Sequence, residues 1–542
     1  MGMVCAWNLT TVGQFNDDAC YILQARHVLT GIDYGPWDHL PGQGLVLLPA
    51  VALFPHSLVA PRVEGTLLTA GAVLAWSWLA SAYLDAMSAA LIGTCFACSQ
   101  VGWVMGSTVM SDGTFALLIP LVLGLHLRRS PPLPIGLLLG LAILCRAPGV
   151  LLAVVVLGDD ARRRDGRRVL GVGAGLVGCG ILCGLIFANA FWAFGMYRTL
   201  LGTSSTAPYF SAWGHAAQSA LESLVGYPTV WWLAALAFPA SLAGVRRAPV
   251  LAVFAGLYGI MLLEYPYVEA RFIWVVWPLV LLLAMIALPV RGRWAALGGL
   301  LCLNVLQLPA MARGSRQAAD LLQDRWASFQ WLSEHAAGDK VVASMTYFVM
   351  LRSGVTAIAQ RPSDVDNLVA QALETGARYI YIDPTMTADS PVTQAAVPPR
   401  LDLWLDRNSA VQKVFQTPWD RVYRVTAPTG RYLAASRHEQ VGQRLGRPDE
   451  LRLALQQYPD LPGARVALAR DLLRDASTRS AGEVLLQGEI RQYPVDTSAT
   501  LLLATQWQTD GRTADARALL QSAMQRARQE GRDADAARLG GV

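Results

Sequence analysis

"LPIGLLLGLAILCRAPGVLLAVVVL", residues 133–157, decides how this chain is folded. The stretch is apolar throughout and long enough to cross a bilayer, which takes roughly 20 residues of helix. "CRAPG", residues 145–149, interrupts it. Proline has no N–H to donate and biases the residue before it away from the helical region. Each remaining arm is too short for a full span. The stretch therefore reads as a hairpin of two short helices with Arg146 at its tip, not as a single crossing.

Working outward, further apolar segments lie near 61–84, 88–105, 113–127, 169–190, 227–245, 248–264, 271–289 and 294–311. The loops between them alternate in charge. Arg128 and Arg129, then "RRRDGRR" (162–168), then Arg246 and Arg247, then Arg291 and Arg293 share one side. "GSTVMSDG", the loop 191–226 and "EYPYVEAR" share the other and hold few basic residues. Excess Lys and Arg marks cytoplasmic loops. The alternation is consistent only if 133–157 is a hairpin. Asp17, Asp18, Asp112, Arg146 and Arg271 then converge on the outer face, although they are far apart in sequence.

Composition agrees with that division. The 542 residues are 54% hydrophobic but only 15% charged, and the apolar runs stop near residue 311. A soluble core could not hide so many, so residues 61–311 form a polytopic helical membrane domain. The net charge of +5 is modest, and no basic stripe with interleaved aromatics points to nucleic acid. All eight cysteines lie at or before Cys302, so the soluble half has no disulfide framework. "MGMVCAWNLTTVGQ" lacks the charged start and apolar core of a signal peptide.

Residues 312–427 alternate helical and strand-like runs. "DKVVAS", "VTAIAQ", "ARYIYID", "VQKVFQ" and "DRVYRV" read as strands of a small extracytoplasmic α/β domain, with no nucleotide fingerprint. "AADLLQDRWASFQWLSEHA" reads as an amphipathic helix before them. Residues 428–448 read as a linker. Residues 449–542 contain a repeat: "QYPDLPGARVALARDLL" and "QYPVDTSATLLLATQWQ" align at an offset of 35 residues, pairing Tyr458 with Tyr493, Ala464 with Ala499, Leu468 with Leu503 and Ala481 with Ala516. This period resembles tetratricopeptide repeats, which implies a surface for a protein partner.

An outer-face site without a nucleotide motif cannot draw on a cytosolic nucleotide, and an activated donor already in the membrane, such as a sugar on a polyprenyl phosphate, is one source that could serve it. A carboxylate would act as general base on an acceptor hydroxyl, and guanidinium groups would hold the departing phosphate. The first 60 residues carry the pattern for this. "NDDACYILQARHVLTG…DHLPGQGLVLLP" resembles the first outer loop of the GT-C glycosyltransferases, in their polyprenyl-phosphate-sugar-dependent mannosyltransferase and aminoarabinose-transferase branch. That loop has an acidic pair, a nearby Tyr, an Ala-Arg helix ending in Gly and a Pro-rich segment, matched here by Asp17-Asp18, Tyr21, Ala25-Arg26, Gly31 and residues 39–42. "SDGTF", "LAILCRAPGVLL" and "EARFIWVVWPLVLL" are similar to later motifs in the same order.

The resemblance implies a GT-C-like membrane fold in which Asp17 is the catalytic base, Asp18 its orienting or metal-associated neighbour and Asp112 a second-loop acid positioning acceptor or metal. It implies Arg146 and Arg271 as donor-phosphate ligands, with Arg26 and His27 as further candidates. Structural alternatives exist for several. Asp112 also suits an N-cap, Arg271 could pair with Glu264 or Glu269, and Arg146 could serve a structural ion pair. The family has a membrane helix ahead of its first outer loop, so one is expected upstream of "MGMVC". A nucleotide cofactor is not expected, and a divalent metal is left open. Expected partners are a polyprenyl-phosphate-linked sugar, an acceptor glycan, lipid or protein, and membrane lipids, at an inner or plasma membrane. Competing readings are a flippase for lipid-linked sugars and a degenerate membrane scaffold working through its repeats.

Overall fold

The structure, a computed structural model, describes residues 16–34, 37, 39–187, 218, 221–222, 224–225, 231–264, 270–343, 345–360, 365–382, 401–418 and 420–541. It divides into two compact units, Met1–Leu322 and Gln323–Val542.

The first unit is all helical. It opens with α1 (Asn16–Thr30), α2 (Gly42–Val46) and α3 (Leu48–Leu53). The first turn of α1 holds Asp17 and Asp18, where the positive end of the helix favours acids, and Gly31 ends the helix at φ +71°. Helix α4 (Val59–Ala80) buries Arg62, Gly65, Thr69, Ala72, Trp76 and Leu79, a three-four spacing that lines one face. Helices α5 (Ala86–Cys98) and α6 (Gln100–Gly106) form one apolar run bent by 71°, with the Ser99 hydroxyl accepting from the Gly102 N–H at the break. Helix α7 (Ser111–Leu127) packs along α4.

The hairpin is α8 (Pro132–Cys145) and α9 (Gly149–Arg162). Arg146 closes α8 in an extended conformation, φ −151° and ψ 133°, and Pro148 prevents the helix from continuing. The base of the hairpin is fixed against the far end of α7. His126 lies 3.0 Å from Asp159, Arg129 donates to Asp160 at 2.9 Å, and Arg168, from α10 (Gly166–Ile186), donates to the Ser130 carbonyl at 2.8 Å. The tip returns to the near end of α7, where Arg146 pairs with Asp112. The hairpin as a whole therefore begins and ends on the arginine-rich side of the bundle. Close packing of α8 on α10 needs glycine: a Cβ on Gly136 would lie 2.1 Å from the Val172 carbonyl oxygen, and one on Gly175 2.5 Å from that of Leu133.

The unit continues with α11 (Trp231–Ser241), α12 (Pro249–Glu264), α13 (Ala270–Trp274), α14 (Trp277–Ile286) and the first part of α15 (Val290–His335), whose residues from Gln323 onward belong to the second unit. Among the described residues, Val59–Ala80, Gly166–Ile186 and Val290–Arg313 are each long and apolar enough to cross a membrane, and the bent pair α5–α6 adds a fourth if it is counted as one span. The segment expected at 271–289 is broken in two, between α13 and α14. The span expected at 294–311 and the amphipathic helix after it are one continuous helix, α15, with Pro309 inside it. Most of loop 191–226 lies outside the described residues.

The second unit holds a five-stranded sheet. Its strands are β1 (Lys340–Ala343), β2 (Thr356–Ala359), β3 (Ala377–Ile382), β4 (Val411–Gln416) and β5 (Arg421–Val425), in the order β2-β1-β3-β5-β4. Strand β1 is parallel to β2 and β3, joined through α16 (Thr346–Ser353) and α17 (Val365–Thr375), while β5 runs antiparallel to β3 and β4. All five strand-like runs of the sequence are strands. Helix α18 (Leu401–Leu405) precedes β4.

Residues 428–448, expected as a linker, are instead mostly helix: α19 spans Thr429–Leu445. Its polar composition disguises a narrow buried face of Tyr432, Ala435, Ser436, Glu439 and Gly442. Tyr432 and Ala435 pack into the same core as Val342, Ile380 and Tyr423 of the sheet. The repeats are helical hairpins: α20 (Pro448–Gln457), α21 (Pro462–Leu472), α22 (Arg479–Gln492), α23 (Thr497–Thr509), α24 (Thr513–Gln529) and α25 (Asp533–Gly540). The paired positions Ala464 and Ala499, and Leu468 and Leu503, are all buried. Tyr493 of the second "QYP" donates to Asp460 at 2.6 Å, and Tyr458 of the first lies 3.0 Å from Ser409.

Candidate functional site

The acids of α1 meet the start of α7 through residues 107–110. The Val109 N–H donates to Asp18 at 3.2 Å, and Gln43 of α2 donates to the Val109 carbonyl at 3.1 Å. The Tyr21 and Ser111 hydroxyls lie 3.0 Å apart. Gln24 donates to the His39 carbonyl at 2.9 Å, which fixes the Pro-rich segment over α1.

Four side chains form the accessible edge of the cluster. One Asp17 carboxylate oxygen lies 2.9 Å from His39 Nε2, and the other accepts from Arg271 at 3.4 Å. Arg146, from the hairpin tip, pairs with Asp112. Asp17 is 28% exposed, His39 21%, Arg271 20% and Arg146 15%, whereas Asp112 and Asp18 are wholly enclosed. An incoming molecule therefore reaches Asp17, His39 and two guanidiniums, with Asp18 and Asp112 behind them. Both guanidiniums lie against one ring, Phe272, at 4.9 Å for Arg146 and 5.2 Å for Arg271.

The two adjacent aspartates are driven in opposite directions. Burial would raise the Asp17 carboxyl, but His39, Arg271 and Arg146 outweigh it and hold it well below the ordinary carboxylate range. Asp18 is pushed up to about 8 by burial and by the neighbouring Asp17 charge, against the Val109 N–H and the Arg271 and Arg62 charges. The outer carboxyl of the pair is thus the stronger acid and the inner one the weaker.

The structure brings together Asp17, Asp18, Asp112, Arg146 and Arg271. It does not bring Arg26 and His27 to them. Both lie nine or more residues beyond Asp17 along α1, about 13 Å at helical rise. Arg26 donates to the Pro55 carbonyl, and His27 bonds to the Ile32 carbonyl with its ring beside Trp37 and Phe187. Asp112 is not a cap: that position belongs to Met110, and Asp112 sits in the first turn. Arg271 meets Asp17. Glu269 and the Glu264 side chain lie outside the described residues. His39, Arg62 and Phe272 were not singled out from sequence. Arg62 carried a usable signal, as an ionisable residue entering an apolar span. Among the described residues no three His, Cys, Asp or Glu side chains are grouped to hold a metal.

In the second unit a cleft of about 670 Å³ lies between α19, α21, α23 and α25, lined by Trp404, Gln443, Arg470, Arg474, Asp535 and Arg538 among others. Trp404 stacks on Tyr493 at 5.3 Å.

The fold is similar to that of two solved structures of ArnT from Cupriavidus metallidurans, one in the apo state and one bound to undecaprenyl phosphate. Each superposes with a TM-score of 0.52 at 12% identity, covering 76% of this chain and 94% of that chain. At that identity the likeness is one of fold. Comparison with protein-family models and with curated proteins finds no match.

Proposed function

We propose that this protein is an integral membrane glycosyltransferase that moves a sugar from a polyprenyl-phosphate donor to an acceptor hydroxyl, with inversion at the anomeric carbon. The observation that carries the reading is the accessible Asp17 carboxylate, oriented by His39 and flanked by Arg271 and Arg146. Asp17 takes the acceptor proton. The acceptor oxygen bonds to the anomeric carbon, and the bond to the phosphate oxygen breaks with its electron pair leaving on the phosphate. Arg146 and Arg271 receive that charge, guanidinium being suited to phosphate by its planar fork of donors. Asp18, protonated beneath Asp17, orients it without adding a second negative charge.

The arginine-rich end of the bundle is read as cytoplasmic and the acid end as extracytoplasmic, with the soluble unit on the same outer side. The helical repeats are read as tetratricopeptide-like, with the 670 Å³ cleft as the seat of a protein partner.

The test is sugar transfer in membranes holding the full-length protein, with radiolabelled polyprenyl-phosphate sugars and wild type set beside Asp17→Asn. Transfer that vanishes in the variant at equal protein level supports the mechanism. Turnover that survives the substitution removes Asp17 as base. Absence of turnover with every donor class favours a flippase or a scaffold.

A further inference from the structure

The two accessible arginines of the site are each engaged by a carboxylate of the protein. Arg146 is held by Asp112, and Arg271 by Asp17. In the donor reading given above, both receive the donor's phosphate. We propose that Asp112 and Asp17 are placeholders for that phosphate, which on binding takes Arg146 and Arg271 from them and so frees Asp17 to act as a base only when the donor is seated. The inference rests on the donor reading given above.

The geometry permits such an exchange without moving the backbone. Each guanidinium has five N–H donors in a fixed fork, so it can engage a new anion while leaving the old one. Both are partly exposed, and Asp112 lies behind Arg146, so a phosphate approaching the open edge meets the arginines before the buried acid. Phe272 lies against both guanidiniums and offers them a common surface during the change.

Charge gives the exchange a direction. The donor is a phosphodiester with one negative charge, equal to that of a carboxylate. The departing polyprenyl phosphate is a monoester whose charge rises toward two. The pull on the arginines therefore grows as the bond to the anomeric carbon breaks, and an interaction that strengthens in the transition state lowers the barrier. On the acceptor side the effect is complementary. Asp17 held by both His39 and Arg271 is a weak base, as its low proton affinity shows. Loss of Arg271 to the phosphate raises that affinity, and His39 at 2.9 Å remains to orient it. The acceptor proton then passes to Asp17 as the acceptor oxygen bonds to the anomeric carbon. A carboxylate that competes with the phosphate makes a distinctive prediction: its removal should tighten phosphate binding.

The experiment measures equilibrium binding of radiolabelled undecaprenyl phosphate to the full-length protein in lipid nanodiscs. Wild type is set beside Asp112→Asn, Asp17→Asn and Arg146→Gln. The expected result is roughly tenfold tighter binding for each acid variant and weaker binding for Arg146→Gln, as removal of a competing or a receiving charge requires. Asp17→Asn carries the test should Asp112→Asn fail to fold with Arg146 left unpaired, because Asp17 is the more exposed acid. Unchanged or weaker binding in the acid variants, with Arg146→Gln still impaired, overturns the exchange and leaves the donor reading standing. No binding to wild type overturns the donor reading, and the exchange falls with it.

Discussion

Gly42→Ala is a one-methyl perturbation aimed at the hairpin tip. A Cβ at Gly42 would lie 2.4 Å from the Leu144 carbonyl carbon, 2.5 Å from the Cys145 nitrogen and 2.7 Å from the Leu144 oxygen. All three are backbone atoms, so no side chain can turn aside. Ordinary van der Waals contact begins near 3.4 Å, so α2 and the end of α8 must separate by about 1 Å. Helix α2 has little freedom to yield: Gln43 is bonded to Val109, and Gly44 sits against Gln24. The displacement therefore falls on the last turn of α8, directly before Arg146. A misplacement of about 1 Å at a positioning group can cost roughly 100-fold in rate. Overpacking of this kind also costs about 1–3 kcal/mol of stability. The assay is sugar transfer in membranes at matched protein level, with the loss expected in kcat as Arg146 leaves Asp112 and the phosphate. Gly173→Ala is the control, because a Cβ there meets nothing within 4 Å. Wild-type transfer by Gly42→Ala would refute the claim that this approach fixes Arg146.

Two further outcomes follow from the same geometry. Asp18 titrates near 8 in the folded protein against 3.8 ordinarily. The folded state thus holds a proton that the unfolded state has lost, and stability should fall as pH rises between those values. Asp18→Asn keeps an acceptor for the Val109 N–H, should be neutral or stabilising at pH 7, and should flatten that slope in thermal unfolding between pH 5 and 9. An unaltered slope would show that Asp18 is not the group responsible. Asp460 accepts from Tyr493 at 2.6 Å, Gln492 at 2.7 Å and the Ser409 N–H at 2.9 Å. Asp460→Ala should destabilise the repeats by about 1–3 kcal/mol, read as faster hydrogen exchange across residues 458–493, and unchanged exchange there would count against a structural role.

The sequence by itself determined the helical hairpin at 133–157, because "CRAPG" interrupts an apolar run and the charges of the flanking loops admit only one parity. It likewise determined the five strands, from local alternation and β-branched content, and the 35-residue repeat. The same parity places Asp17, Asp112, Arg146 and Arg271 at one end of the bundle. Periodicity could not reveal α19, whose buried face is narrow and partly polar, nor the continuity of α15 through Pro309. Tertiary structure alone decided which acid holds which arginine, that His39 rather than His27 faces Asp17, and that Arg62 is buried. Sequence spacing sets which end of a bundle a charge reaches. Its partner and its proton affinity depend on burial and on distances of a few ångströms between segments up to 254 residues apart, and only the packed fold sets those.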